Sequence, residues 1–284
     1  MTGIPFGKGH GTENDFVVLP DADGELDLTA ARVAALCDRR RGLGADGVLR
    51  VVRWAALKDD AFPAEPGVEW FMDYRNADGS AAEMCGNGVR VYARWLERAG
   101  WQAGDQALRL GTRAGVREVR FVGDDVAVDM GPALLGGDSV ATVGGHTFPG
   151  TAVDVGNPHL ACVTDIALDG LDLTEQPGYD TVLFPRGVNI EFLTPLSPGG
   201  GGDGGIAMRV HERGVGETRS CGTGTVAAVV AALRSAGRET GDVAVRTPGG
   251  RLRVIVDEGT TVLQGPAVLV ASGELDAGWW HALG

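Results

Sequence analysis

A cysteine set between glycines opens a helical pattern twice in this 284-residue chain, at "MCGNGVRVYARWL" (84–96) and at "SCGTGTVAAVVAAL" (220–233). The two cysteines, Cys85 and Cys221, lie 136 positions apart, close to half the chain, and the same offset carries Met72 onto Met208, Gly86 onto Gly222 and Gly88 onto Gly224. A repeat at half the length points to two copies of one folding unit, and the chain is long enough to bury two ordinary cores. The expected domains are residues 1–128, completed by about 267–284, and residues 129–266, with the boundary near "VDMGPALLGGDS".

Short β-like runs outnumber helices. "IPFGKGHGTENDFVVLP", "VEWFMDYRN", "VREVRFVG", "VAVDMG", "TAVDVGNPHLACV", "VNIEFLTP", "IAMRVHER", "VAVRTPGGRLRVIVDEG" and "AVLVASGEL" read as strands, many of them separated by Gly, Pro, Asp or Asn. Helices are expected over Thr29–Arg39 and after each cysteine block. Following Cys85, Val89, Tyr92, Ala93 and Leu96 fall on one helical face and Gly100 stands where a C-terminal glycine ends a helix. Following Cys221 the pattern is apolar all round until Arg234, as in a helix enclosed by its own sheet. The fold class expected is α+β: two pseudo-symmetric domains, each a mostly antiparallel sheet or barrel wrapped around a central helix, with the active site in the cleft between them. "SPGGGGDGG" (197–205) reads as a hairpin tip, because neither a helix start nor a Lys-Ser/Thr pair follows it.

A formal charge of −13 disfavours nucleic acid and anionic membranes as partners and leaves small molecules. The longest uncharged apolar run, Val226–Leu233, is too short to span a bilayer, and no basic-plus-apolar leader opens the sequence, so a soluble cytoplasmic protein is expected. Four cysteines without a Cys-x-x-Cys pair form neither a disulfide framework nor a zinc ribbon, and no metal site is expected. Pyridoxal-phosphate chemistry needs a Schiff-base lysine. The two lysines, Lys8 after the first strand run and Lys58 in an acidic loop, are poor candidates, and no cofactor is expected.

The first N–H groups of a helix lack partners and carry roughly half a positive charge, so they bind anions and lower the pKa of a neighbouring thiol from about 8.5. Glycines let the backbone approach a ligand closely. Cys37 in a helix and Cys162 in an apolar strand read as packing residues. Cys85 and Cys221 do not, because a glycine-flanked helix start is a poor place to bury a small hydrophobe and the feature occurs twice. Two such thiols on opposite faces of one carbon invert it: one removes a proton and the other returns it. General acid–base catalysis supplies about 10² to 10⁴-fold, too little for so weak an acid as an amino-acid Cα–H. Fixed dipoles aimed at the charge developing on the substrate carboxylate must supply much of the rest.

In "GHGTENDFVVLP", "RRRGLGADGV", "DYRNADGSAAEMCGNGVR", "GNPHLACV", "RGVNIEF" and "HERGVGETRSCGTG", taken in this order, the chain resembles the diaminopimelate epimerases over nearly its whole length. The resemblance implies a cofactor-independent isomerase converting LL- to meso-2,6-diaminopimelate, for lysine and peptidoglycan-precursor synthesis, and a homodimer. It implies Cys85 and Cys221 as the acid/base pair, and His159 and Glu212 as residues that meet the reacting amino acid and help set thiol protonation. Gly86, Asn87, Gly222 and Thr223 correspond to groups that hold the reacting carboxylate. Asn14, Asn76, Asn157, Asn189 and Arg213 correspond to residues that recognise the remote amino-acid end, where an Arg fork reads a carboxylate and Asn amides donate and accept.

Three positions depart from the family pattern. Gly47 stands in "GADGV" where some members carry a substrate-contacting Gln, "GTENDF" replaces the commoner Gly-Leu-Gly-Asn-Asp-Phe, and His211 replaces a frequent Tyr. Two other readings of the thiol pair stand beside the epimerase. "SCGTGT" is also similar to the second block of proline racemases, which gives a racemase of a single amino acid such as proline or histidine, whereas "MCGNG" and Arg213 favour a substrate with a second charged end. The other reading is a non-enzymatic binder or redox sensor that oxidises the pair.

Overall fold

The computed structural model describes residues 3–198 and 202–283, which divide into two compact units, Met1–Val128 with Pro266–Gly284, and Asp129–Gly265. The first unit contains β1 (Ile4–Gly11), β2 (Asn14–Pro20), α1 (Ala30–Cys37), β3 (Gly47–Arg53), β4 (Trp70–Asn76), α2 (Gly86–Arg98), β5 (Leu108–Thr112), β6 (Gly115–Val122) and β7 (Asp125–Gly131), whose last residues pass into the second unit. The second unit contains β8 (Leu134–Val143), β9 (His146–Asp154), β10 (Pro158–Val163), β11 (Gly178–Tyr179), β12 (Asn189–Leu193), β13 (Gly204–Glu212), β14 (Gly216–Thr218), α3 (Gly222–Ser235), β15 (Gly241–Thr247), β16 (Gly250–Asp257) and β17 (Thr260–Pro266). The chain then returns to the first unit with β18 (Val268–Leu275) and α4 (Ala277–Ala282).

Strand pairing repeats step for step. In the first unit the order β18–β1–β2–β3–β4–β5–β6–β7 is joined by antiparallel, antiparallel, parallel, antiparallel, parallel, antiparallel and antiparallel ladders. In the second, β8–β9–β10–β12–β13–β15–β16–β17 follows the same seven steps. A parallel step needs a crossover, and the second parallel step of each unit is crossed by the helix that starts at a CGxG block. Ranges shifted by 136 residues overlay β4 on β13, β6 on β16 and β7 on β17 to within about two residues.

The sheet of each unit surrounds its helix. α2 packs against β1, β2, β3, β4 and β18, and α3 against β9, β10, β12, β13, β15 and β16. All residues from Gly86 to Ala93 are buried in α2, and Thr225–Leu233 are buried on every side of α3. Both helices end in the same way. Gly100 (φ +72°) and Gly237 (φ +72°) take the left-handed conformation, and the next residue's N–H reaches back to Leu96 O and to Leu233 O, each at 2.9 Å.

The Thr29–Arg39 helix is shorter than expected. Thr29 caps it through Oγ1, but Asp38 Oδ1 accepts the N–H groups of Arg40 and Arg41, each at 2.9 Å, and this local carboxylate bond takes the chain out of the helix. Of the glycine-rich hairpin tip, residues 199–201 lie outside the described residues. On either side Ser197 and Gly205 exchange backbone hydrogen bonds at 2.9 and 3.0 Å.

Candidate active site

Each cysteine block folds into a helix start with sulfur as its cap. Cys85 (φ −143°, ψ 117°) and Cys221 (φ −121°, ψ 122°) are extended N-caps whose Sγ atoms accept the N–H of Gly88 and of Gly224, both at 3.4 Å. This is the position where Ser, Thr, Asp or Asn oxygen ordinarily satisfies the first orphan donors of a helix. The remaining first-turn amides belong to Gly86, Asn87, Gly222 and Thr223, the residues expected to hold a carboxylate.

The partners of Cys85 include neutral amides, with a buried cation behind them. The Cys85 thiol donates to Asn14 Oδ1 at 3.5 Å, and Asn87 Nδ2 donates to the same oxygen at 3.3 Å. Asn14 Nδ2 in turn donates to Asp46 Oδ2 at 2.8 Å, which fixes the amide's orientation. Arg90, one turn into α2 and fully buried, donates to Asn87 Oδ1 (2.8 Å) and Thr12 Oγ1 (3.1 Å), while its Nε and Nη1 have no partner among the described residues. Burial pulls its guanidinium down to about 10.

Around Cys221 the partners are acids. Its Sγ lies 3.5 Å from Thr223 Oγ1 and within electrostatic reach of the Glu212 carboxyl, which accepts a hydrogen bond from Thr218 Oγ1. His159, fully buried on β10, places Nδ1 2.7 Å from Glu191 Oε1 and Nε2 2.9 Å from Asn157 Oδ1. Burial first, then the Glu212 and Glu191 charges, raise the Cys221 thiol well above its ordinary value. Burial likewise raises the Glu212 carboxyl.

The family model for diaminopimelate epimerase matches residues 6–135 and 151–270, the first stretch lying mostly in the first unit and the second mostly in the second. The chain is 57% identical to the diaminopimelate epimerase of Rhodococcus jostii (strain RHA1), across 99% of this chain and all of that one. It is also 57% identical to that of Mycolicibacterium smegmatis, across 98% and 99%. The chain belongs to the diaminopimelate epimerase family. Its fold is shared, at low sequence identity, with solved structures of other proteins. The PhzF-family phenazine biosynthesis protein of Bacillus anthracis superposes with a TM-score of 0.70 at 16% identity, covering 97% of this chain and 99% of that one. A hydroxyproline epimerase from Agrobacterium vitis superposes with 0.67 at 15%, covering 96% and 92%. The isomerase class and the two-unit α+β fold follow from these likenesses.

Within this family member the expected residues occupy varied settings. Asn14, Gly86 and Asn87 surround Cys85; Asn157, His159, Glu212, Gly222 and Thr223 belong to the surroundings of Cys221. Asn76 lies in a tight turn, where its Nδ2 donates to Ser80 Oγ at 3.0 Å. Asn189 is nearly buried, with Nδ2 donating to Pro158 O (3.1 Å) and Oδ1 accepting from Arg213 N (2.9 Å), so it ties β12 to its neighbours. Arg213 is exposed, and its Nη1 donates to Arg186 O at 3.3 Å while its methylenes lie over Gly187.

The expectation that a helix start lowers the thiol pKa is reversed at Cys221, because desolvation and two nearby carboxyls outweigh the amide dipoles. At Gly47 a Cβ would fall 2.6 Å from Arg75 O and 2.7 Å from the Tyr74 ring, so no longer side chain fits this backbone. The neighbouring Asp46, which holds Asn14, was not singled out from the sequence. Nor were Arg90 and Glu191. Their signal was a charge at a position that the helical or strand pattern turns inward.

Proposed function

We propose that this chain interconverts LL- and meso-2,6-diaminopimelate without a cofactor, with Cys85 and Cys221 as the acid/base pair. The observation that carries the reading is the duplicated thiol-capped helix start. Both sulfurs occupy the same cap position and accept from the corresponding amide, that of Gly88 or of Gly224, so each is delivered in the same way at the start of a buried helix. One thiolate takes the Cα proton, leaving a carbanion conjugated with the carboxylate; the opposite thiol gives its proton to the other face, and the two sulfurs exchange protonation states. First-turn amides of Gly86, Asn87, Gly222 and Thr223 stabilise the charge that builds on the carboxylate, and His159 and Glu212 serve the thiol proton balance. Burial and the neighbouring carboxyls favour the protonated Cys221 thiol, which suits it to be the acid in the direction where Cys85 is the base.

Asn14, Asn76, Asn157, Asn189 and Arg213 recognise the distal amino-acid end. The Arg213 fork suits its carboxylate, and Asn189 contributes by fixing the Arg213 backbone. A homodimer working in the cytoplasm, on a small-molecule substrate alone, is the setting this reading implies; sedimentation equilibrium measures the assembly.

Incubation with diaminopimelate in D₂O tests the activity. Deuterium should enter one α-carbon with no added cofactor, and Cys85→Ala and Cys221→Ala should each lower turnover by at least about 10³-fold. Full activity in either variant would refute the two-thiol mechanism. Single amino acids without a distal carboxylate should exchange little; brisk exchange into proline or histidine would make the chain a racemase of those instead.

A further inference from the structure

Glu191 is the ionisable residue behind Cys221 to which the reaction above gives no task. It sits at the centre of β12, where all five residues are buried, and is itself inaccessible to solvent. β12 pairs in parallel with β10, with Ala161 opposite Glu191 and His159 two residues earlier on the same face. Oε1 meets His159 Nδ1 at 2.7 Å, and Oε2 has no hydrogen-bond partner among the described residues. The carboxyl also presses on the first turn of α3, since a Cβ at Gly224 would come within 2.6 Å of Oε1. A buried acid with one unsatisfied oxygen is costly, and an apolar residue would serve the core better.

The hydrogen count at His159 gives the acid a task. With the Asn157 amide oxygen facing Nε2 at 2.9 Å, a hydrogen bond there requires the hydrogen on Nε2. Nδ1 and Glu191 then share a single proton across 2.7 Å, and the pair is neutral overall whether it is written as imidazolium and carboxylate or as imidazole and carboxylic acid. Burial favours the protonated carboxyl and His159 favours the ionised one. The ionisable groups facing Glu191 are His159 and Cys162 from β10, Glu212 from β13 and Cys221 at the start of α3.

We propose that Glu191 is a positioning residue of the epimerisation, holding His159 through the shared Nδ1 proton while packing against the helix start that carries Cys221, so that acid and imidazole work as one unit behind that thiol. The inference rests on the epimerase reading. It predicts that Glu191→Gln, which keeps the volume but cannot share that proton in the same way, lowers kcat for diaminopimelate at least about 10-fold, changes KM less than about 3-fold and displaces the pH–rate profile. The double variant with His159→Asn should be no slower than His159→Asn alone, because the partners of one unit are not additive. In the unaltered full-length protein, NMR should show a downfield imidazole N–H proton from His159, a signal that needs no variant to fold. Glu191→Gln that folds and keeps the parent kcat and pH profile, losses that multiply in the double variant, or absence of the shared-proton signal would overturn the proposal. A parent chain that exchanges no deuterium would instead overturn the epimerase reading and this role with it.

Discussion

Asp73 places one carboxylate, with no solvent exposure, among Arg50 of β3, Arg75 of β4 and Arg113 just beyond β5. Burial alone would raise its pKa, but Arg75 and Arg113 outweigh burial and hold it below the ordinary range. Asp73→Ala should therefore cost about 2–4 kcal/mol in urea unfolding, since it removes the buried carboxylate shared by three partly buried guanidinium groups, of which Arg50 alone keeps a second acid, Asp21. Buried thiols act in the opposite pH range. Desolvation pushes Cys37 up to about 11 and Cys162 up to about 12, from 9.0. The unfolded chain loses these protons first, so the native state binds more protons above pH 9 and unfolding free energy should fall there by about 1.4 kcal/mol per pH unit per thiol. Cys162→Ala should remove its share of that slope between pH 9 and 12; an unchanged slope would contradict it. Asp73, Arg90 and Glu191 were all visible in the sequence as charges within apolar patterns. Arg75 and Asn87 are near neighbours in the chain, but Arg50, Arg113, Thr12 and His159 were not visible as partners, because they come from segments distant in sequence.

Among the elements, the two central helices were legible from apolar spacing, and the first also from its glycine stop at Gly100. Replacement of Gly100 or Gly237 by Ala forces a left-handed backbone on a residue with a Cβ, and each should lower stability by about 1–2 kcal/mol without affecting turnover. Gly224 answers to a different constraint. Its φ is not left-handed, yet a Cβ there would meet Glu191 Oε1 at 2.6 Å. Gly224→Ala should thus cost about 1–3 kcal/mol and lower kcat together with stability, by displacing the acid behind Cys221. In the β1–β2 hairpin Thr12 (φ +51°) and Glu13 (φ +64°) both take left-handed conformations, as a two-residue turn of this type demands, and Thr12 Oγ1 there accepts from Arg90. Strands such as β3, β5 and β17 were missed. β3 is buried on both faces apart from Arg50 and Arg53, so it lacks the alternation that marks a half-exposed strand.

At the scale of the whole molecule, one duplicated plan carries two different electrostatic environments. Both units repeat the same seven strand pairings and the same thiol-capped helix, yet a buried arginine underlies the Cys85 turn and buried acids underlie the Cys221 turn. Iodoacetamide alkylation followed by mass spectrometry should accordingly find Cys221 protected below pH 9 in the folded protein. What the sequence determined by itself was the duplication, the α+β class, the two cysteines at helix starts and the family, because each is written in local spacing and ordered motifs. What only the tertiary structure decided was the sign of the field at Cys221, the exclusion of a side chain at Gly47 and the pairing of His159 with Glu191. Those depend on desolvation and on contacts between strands, and neither is encoded in the periodicity of any one segment.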